Sequence, residues 1–219
     1  MSLTLAIDCA FPTAVIAIGT PEAVLWRSFG PQRSHALRLI GELESLLDEA
    51  GLPVSAIERI GVGQGPGSFT GLRVALASAS GLVQAAGAEL VGFASFDALP
   101  VWDEPTLIAF DARAGMVYSA LAQGETWLEA PRPRSIAEAA ELGARAQFVY
   151  GEGLQRYPEL GEGLIVRNAH CHADPDRAIA LSRAAVPGRP VLPTYKEGAQ
   201  AQKLFGSPDI GRALDGDEL

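Results

Sequence analysis

The densest run of residues suited to chemistry is Gly65-Pro66-Gly67-Ser68-Phe69-Thr70-Gly71-Leu72-Arg73. Glycines expose backbone N–H groups, and a helix starting just after them adds the positive end of its dipole, so such a loop can cradle an anion. Ser68 and Thr70 would add hydroxyls, and Arg73, one turn into the helix, a charge. Two familiar phosphate loops do not fit. A Walker A loop requires Gly-Lys-Ser/Thr, and the first lysine of the chain is Lys196. A Rossmann fingerprint requires G-x-G-x-x-G, whereas Gly65, Gly67 and Gly71 are spaced one residue too far and enclose Pro66. The same run also suits a tight turn that brings a strand and a helix together, so both readings stand.

Two carboxylates repeat a setting. Leu5-Ala6-Ile7-Asp8 and Ile108-Ala109-Phe110-Asp111 are each apolar-Ala-apolar-Asp at the end of a strand, just before a hairpin. If the halves of the chain face one another, Asp8 and Asp111 could bind Mg²⁺ on a nucleotide. Otherwise each satisfies the backbone of its own turn. His170-Cys171-His172, with Asp174, suggests a metal, but no third ligand is indicated and an exposed loop before a helix fits as well. His35 sits beside a helix start and reads as structural. There is no G-x-S-x-G elbow and no base beside Cys9. No catalytic residue and no metal site is therefore assigned.

These residues need elements to position them. Alternation and short turns predict strands over 3–7, 14–19 and 24–29, the turn before the third at Thr20-Pro21-Glu22, and then a helix from Ser34 to Ala50. Ser34 is its expected N-cap, Gly51 its C′ residue, and Ala36, Leu39, Leu43, Leu46 and Ala50 its apolar stripe. A strand over 57–64, a helix over 70–86, a strand over 89–93 and a short helix from Ser95 follow. The pattern then restarts: strands over 106–111, 116–122 and 126–130, a helix over 135–142, strands over 147–150 and 164–166, and a helix over 175–185 capped by Asp174. Pro100 and Asp103-Glu104-Pro105 suit a linker. The expected organisation is a domain over 1–103, a second over 104–195, and a C-terminal segment over 196–219 that is partly mobile.

The helix over 70–86 is rich in small residues. Gly71, Ala75, Ser78 and Leu82 recur at 3–4 spacing and share a face, which together with Leu39 and Leu43 of the preceding helix could meet a partner chain. The alternative is packing within its own domain. Lys+Arg number 17 and Asp+Glu 26, a net charge of −9, and both halves are acidic, which disfavours a stand-alone nucleic-acid binder. The hydrophobic fraction of 48% excludes wholesale disorder. Two distant cysteines form no disulfide framework, and no apolar run is long enough to cross a membrane, so a cytoplasmic protein is expected.

The glycine run closely resembles the signature of the TsaB (YeaZ) family, subunits of the bacterial machinery that attaches a threonylcarbamoyl group to an adenosine beside the tRNA anticodon. Leu5-Ala6-Ile7-Asp8, Ser34-His35, Asp111-Ala112-Arg113-Ala114-Gly115-Met116-Val117-Tyr118 and Pro193-Thr194-Tyr195 resemble further family segments in the right order. Two departures stand out. The family often has Asp-Thr-Ser where this chain has Asp8-Cys9-Ala10, which removes two hydroxyls. The paralogous catalytic subunit, TsaD, carries a His-x-x-x-His metal motif where this chain reads Phe93-Ala94-Ser95-Phe96-Asp97-Ala98-Leu99. The resemblance implies an α/β fold of two ribonuclease-H-like domains of the actin/Hsp70/sugar-kinase (ASKHA) type. It implies a non-catalytic scaffold that pairs with a TsaD-like subunit through N-terminal helices, with a TsaE-like ATPase joining and with self-association through a similar surface. It further implies contact with tRNA only through the complex, and ATP or ADP with Mg only at the partner interface. The rival reading is a stand-alone ATPase or small-molecule kinase of the same fold, using Asp8, Asp111 and the loop residues Gly65, Gly67, Ser68, Thr70 and Arg73.

Overall fold

This computed structural model describes residues 3–20, 23–30, 35–167 and 171–194. Pro21, Glu22, Ser34, His170, Tyr195 and the segment 196–219, all named above, lie outside the described residues.

The first half builds β1 (Leu3–Asp8), β2 (Ala14–Gly19) and β3 (Val24–Phe29), then α1 (His35–Ala50), β4 (Ile57–Gly63), α2 (Phe69–Ala86) and β5 (Glu89–Phe93). Short turns force β1, β2 and β3 into an antiparallel meander, while the helical crossovers bring β4 and β5 in parallel. The sheet order is β3-β2-β1-β4-β5. The second half repeats the plan with β6 (Thr106–Arg113), β7 (Met116–Gln123), β8 (Thr126–Ser135), α3 (Ile136–Gly143), β9 (Phe148–Tyr150), α4 (Gly153–Arg156) and β10 (Ile165–Val166). Its order, β8-β7-β6-β9-β10, is that of the first sheet counted from its own first strand. The molecule is thus a pair of ribonuclease-H-like units of the ASKHA type, as the family resemblance implied and in agreement with the duplicated opening motif.

Two elements differ most from the sequence reading. β8 runs through Pro131 and Pro133 to Ser135 rather than stopping at 130, because it is an edge strand and the missing N–H groups cost no ladder bond. The last helix, α5 (Pro175–Ala184), does not complete the second unit. It packs across β1, β2, β4 and β5 of the first sheet. The reason lies in the residues of that sheet face. Ala6, Ala17, Gly19 and Gly61 are small, so Ala178, Ile179 and Ser182 settle close to the strands. Alternate residues Leu3, Leu5 and Ile7 point to the opposite face, where α1 and α2 cover them.

α1 buries His35, Leu39, Leu43, Leu46 and Leu47, while Ala36, expected in the stripe, is exposed. Gly51 ends it at φ +67°, and Leu52 N–H returns to the Leu47 carbonyl at 3.0 Å. His35 is structural: its Nε2 lies 3.1 Å from the Pro12 carbonyl oxygen and burial lowers its pKa. α2 starts at Phe69, one residue earlier than predicted, capped by Ser68, whose Oγ accepts the Gly71 N–H at 3.1 Å.

Candidate functional site

The glycine loop lies at the C-terminal end of β4, beside the β1–β2 hairpin. It is tied both to that hairpin and to the segment after β5. Ser68 N–H donates to the Ala10 carbonyl at 2.8 Å, and Gly65 N–H donates to Ser95 Oγ at 3.0 Å. Ser95 N–H in turn donates to the Gly65 carbonyl at 3.0 Å. Gly67 and Gly71 are glycine because the hairpin comes so near: a Cβ at either would strike the Ala10 or Cys9 carbonyl oxygen. Of the two readings of the loop, the tight turn accounts for Gly65, Gly67 and Ser68. Thr70 is exposed in the first turn of α2. Arg73 stacks its guanidinium over the Phe69 ring, 3.9 Å from the centroid.

Asp8 is buried at the root of this lock. Its Oδ1 accepts the Ala10 N–H at 2.8 Å, while Oδ2 has no hydrogen-bond partner. Burial pushes its pKa up to about 6, against the opposing influence of the Ser95 hydroxyl and the Ala10 amide. Asp111 holds its own turn, accepting Arg113 N–H at 2.8 Å and pairing with Arg156 at 3.0 Å. Glu152 Oε1 accepts the Asp111 N–H at 3.3 Å, and burial raises the Glu152 pKa to about 7. Sequence reasoning missed Glu152. Its signal was available in the Gly151-Glu152-Gly153 triplet that follows β9 as the glycine loop follows β4.

An apolar cluster joins the two units beside the first hairpin. Phe11, directly after the Asp8-Cys9-Ala10 departure, is fully buried against Phe110 at 4.5 Å and Phe96 at 5.8 Å between ring centroids. Ala10 and Leu72 from the first unit join Ile108, Ala120 and Tyr150 from the second in the same apolar cluster. Phe93, Phe96, Ala98 and Leu99, in the stretch read above as lacking histidines, are buried in the core. Among the described residues no group of three His, Cys, Asp or Glu side chains is placed to hold a metal. His172 lies beside Trp26, and its Nδ1 is 2.7 Å from the Ala173 carbonyl oxygen. Cys9 and Cys171 are both buried thiols outside any disulfide, with pKa values raised by burial.

The expected partner face needs correction. Leu39, Leu43 and Ala75 belong to the core that α1 and α2 share with the first sheet, and Gly71 is buried against the hairpin. Ser78 and Leu82 are half-buried at its margin. The 3–4 spacing was right for a helix face but chose the face turned inward. Turned outward on α1 are Leu37, 86% exposed, and Ile40; on α2 they are Phe69, Ala77, Ser80 and Gly81. A Cβ built at Gly41 or Gly81 meets no atom within 4 Å beyond its own helical turns. The exposed face therefore combines large apolar side chains with glycines that permit close backbone approach.

A family model described as "TsaD: tRNA N6-adenosine threonylcarbamoyltransferase" matches residues 31–146, just over half of the chain. The tRNA threonylcarbamoyladenosine biosynthesis protein TsaB of Escherichia coli (strain K12) is 28% identical over 180 residues, spanning 75% of this chain and 78% of that protein. A crystal structure from Pseudomonas aeruginosa, of an uncharacterized protein with similarity to peptidase YEAZ, superposes with a TM-score of 0.72 at 26% identity, covering 89% of this chain and 99% of that one. The chain belongs to the TsaB (YeaZ) family. An uncharacterized protein of Mycobacterium tuberculosis (strain ATCC 25618 / H37Rv) is 39% identical to this TsaB-family chain over 124 residues, 54% of this chain and 58% of that protein. Among the described residues of this TsaB-family chain, no helix is long and apolar enough to cross a membrane.

Proposed function

We propose that this chain is a non-catalytic subunit in the formation of threonylcarbamoyladenosine in tRNA, docking on a TsaD-type catalytic subunit through the outward face of α1 and α2. One observation carries the reading. Asp8 is buried and the Gly65 and Ser68 N–H groups are bonded within the molecule, while α1 and α2 leave Leu37, Ile40, Phe69 and Gly81 exposed. A buried apolar cluster offers no charge to stabilise a transition state. An apolar helix face rimmed by polar residues suits a protein interface. The match to the TsaD family model over 31–146, which contains α1 and α2, supports a partner of related fold.

In this reading the chain works in the cytoplasm and meets tRNA only through the complex. A TsaE-like ATPase joins the pair, and nucleotide with Mg enters only at the shared interface. The same outward face would serve self-association in the absence of partner. The rival reading, a lone ATPase or small-molecule kinase, needs the buried Asp8 to become accessible to a nucleotide. Reconstitution separates the two. tRNA modification by a TsaD-type subunit should require this chain, and the chain alone should give no heat on titration with Mg-ATP. Micromolar Mg-ATP binding with turnover by the isolated chain would select the enzyme instead.

A further inference from the structure

A cavity of about 240 Å³ opens where the inter-unit linker, the β7–β8 turn and α5 meet, away from the α1–α2 face. Leu99, Ile108 and Leu181 give it an apolar lining, and Phe96 and Trp127 add aromatic rings. Asp97, Glu125 and Arg177 are its charged groups.

The charges are unequal, and their geometry says which sign is missing. Arg177 is pinned: its Nε and Nη2 donate to the Asp97 carbonyl oxygen at 3.1 and 3.0 Å, and its Nη1 donates to the Glu125 carboxylate at 2.7 Å. That pair neutralises itself. The Asp97 carboxylate is held by a neutral donor, Trp127 Nε1–H at 3.1 Å, and makes no ion pair among the described residues. One cation and two carboxylates leave the cavity one negative charge in excess. An incoming anion would meet two carboxylates. An incoming ammonium carries the sign they favour, and aromatic rings line the space its apolar body would fill.

We propose that this cavity is a binding site for a small organic cation, an apolar body of fragment size carrying one primary ammonium. The site does not depend on partner docking, so its success or failure is read independently of the proposed function.

The test uses the full chain labelled with ¹⁵N and three probes with the same ring: phenethylamine, phenylacetate and 2-phenylethanol. Phenethylamine should shift the Trp127 indole N–H resonance saturably, with a Kd of about 1 mM, ordinary for so small a ligand. The resonances of Trp26 and Trp102 should stay in place. The acid and the alcohol should bind at least about fivefold more weakly. Combining Asp97→Asn and Glu125→Gln should weaken the amine about tenfold, the scale of one charge-assisted contact. Both substitutions keep an oxygen acceptor, one for Trp127 and one for Arg177, and unmoved Trp26 and Trp102 resonances report that the fold is kept. Tighter binding of phenylacetate, no saturation by phenethylamine, or an unchanged affinity in the double variant would each overturn the proposal.

Discussion

Replacing Asp8 by asparagine tests the lock between the first hairpin and the glycine loop. Asparagine retains an oxygen to accept the Ala10 N–H, and its amide N–H₂ can donate to the Ser95 hydroxyl where the unpartnered Oδ2 now sits. What it removes is the burial of a negative charge. Burial moves the Asp8 pKa from 3.8 to about 6, and at about 1.4 kcal/mol for each pH unit this amounts to about 3 kcal/mol. The sign follows from proton binding. The folded state holds the Asp8 proton more tightly than the unfolded chain does, so stability falls as pH rises from about 4 through about 6 and the full cost is present above that. Asp8→Asn should therefore be more stable than the parent at pH 7.5, by up to about 3 kcal/mol, and close to it at pH 4. Urea unfolding of both proteins across this range gives the difference directly, with the other titrating groups cancelling. A variant less stable at pH 7.5, or a difference that does not change with pH, would refute the account of Asp8 as a buried charge held at a cost.

Three other outcomes follow from named contacts. Phe11→Ala should lose about 3–5 kcal/mol in denaturant unfolding, because Phe11 is fully buried between Phe96 and Phe110 and joins the two units. Ser68→Ala should lose about 1 kcal/mol, the cap that accepts Gly71 N–H, and raise amide exchange in the first turn of α2. Gly81→Gln should raise the midpoint of thermal unfolding by about 2–4 °C, since it replaces a helical glycine whose Cβ position is open.

The duplication of the fold was legible because its signals are local. Strands alternate, hairpin turns are short, and Asp8 and Asp111 mark equivalent strand ends. The length of β8 was not, since Pro131 and Pro133 argue against a strand unless its place at the sheet edge is known. The destination of α5 was hidden for a different reason. Asp174 announces its start, but the sheet it covers is decided by Ala6, Ala17, Gly19 and Gly61, over a hundred positions earlier. The short α4 and the 3₁₀ turn at Pro158–Gly161 carry too few residues for any periodicity. At the site, the glycine loop stood out in the sequence, but which of its N–H groups are spent depends on β1 and β4 pairing side by side. Spacing placed Leu39, Leu43 and Ala75 on helix faces without showing that those faces look inward.

In the proposed function the outward face of α1 and α2 grips a partner, and the chain brings no reactive centre of its own. Gly81→Arg addresses this most directly, because a long charged side chain there blocks close helix approach while finding only open space in the isolated chain. Calorimetric titration of the variant against a TsaD-type subunit should show affinity reduced at least about a hundredfold, the scale of losing an interface hot spot. The thermal midpoint of the free variant should stay at or above that of the parent. Native affinity in a folded Gly81→Arg protein would contradict the account.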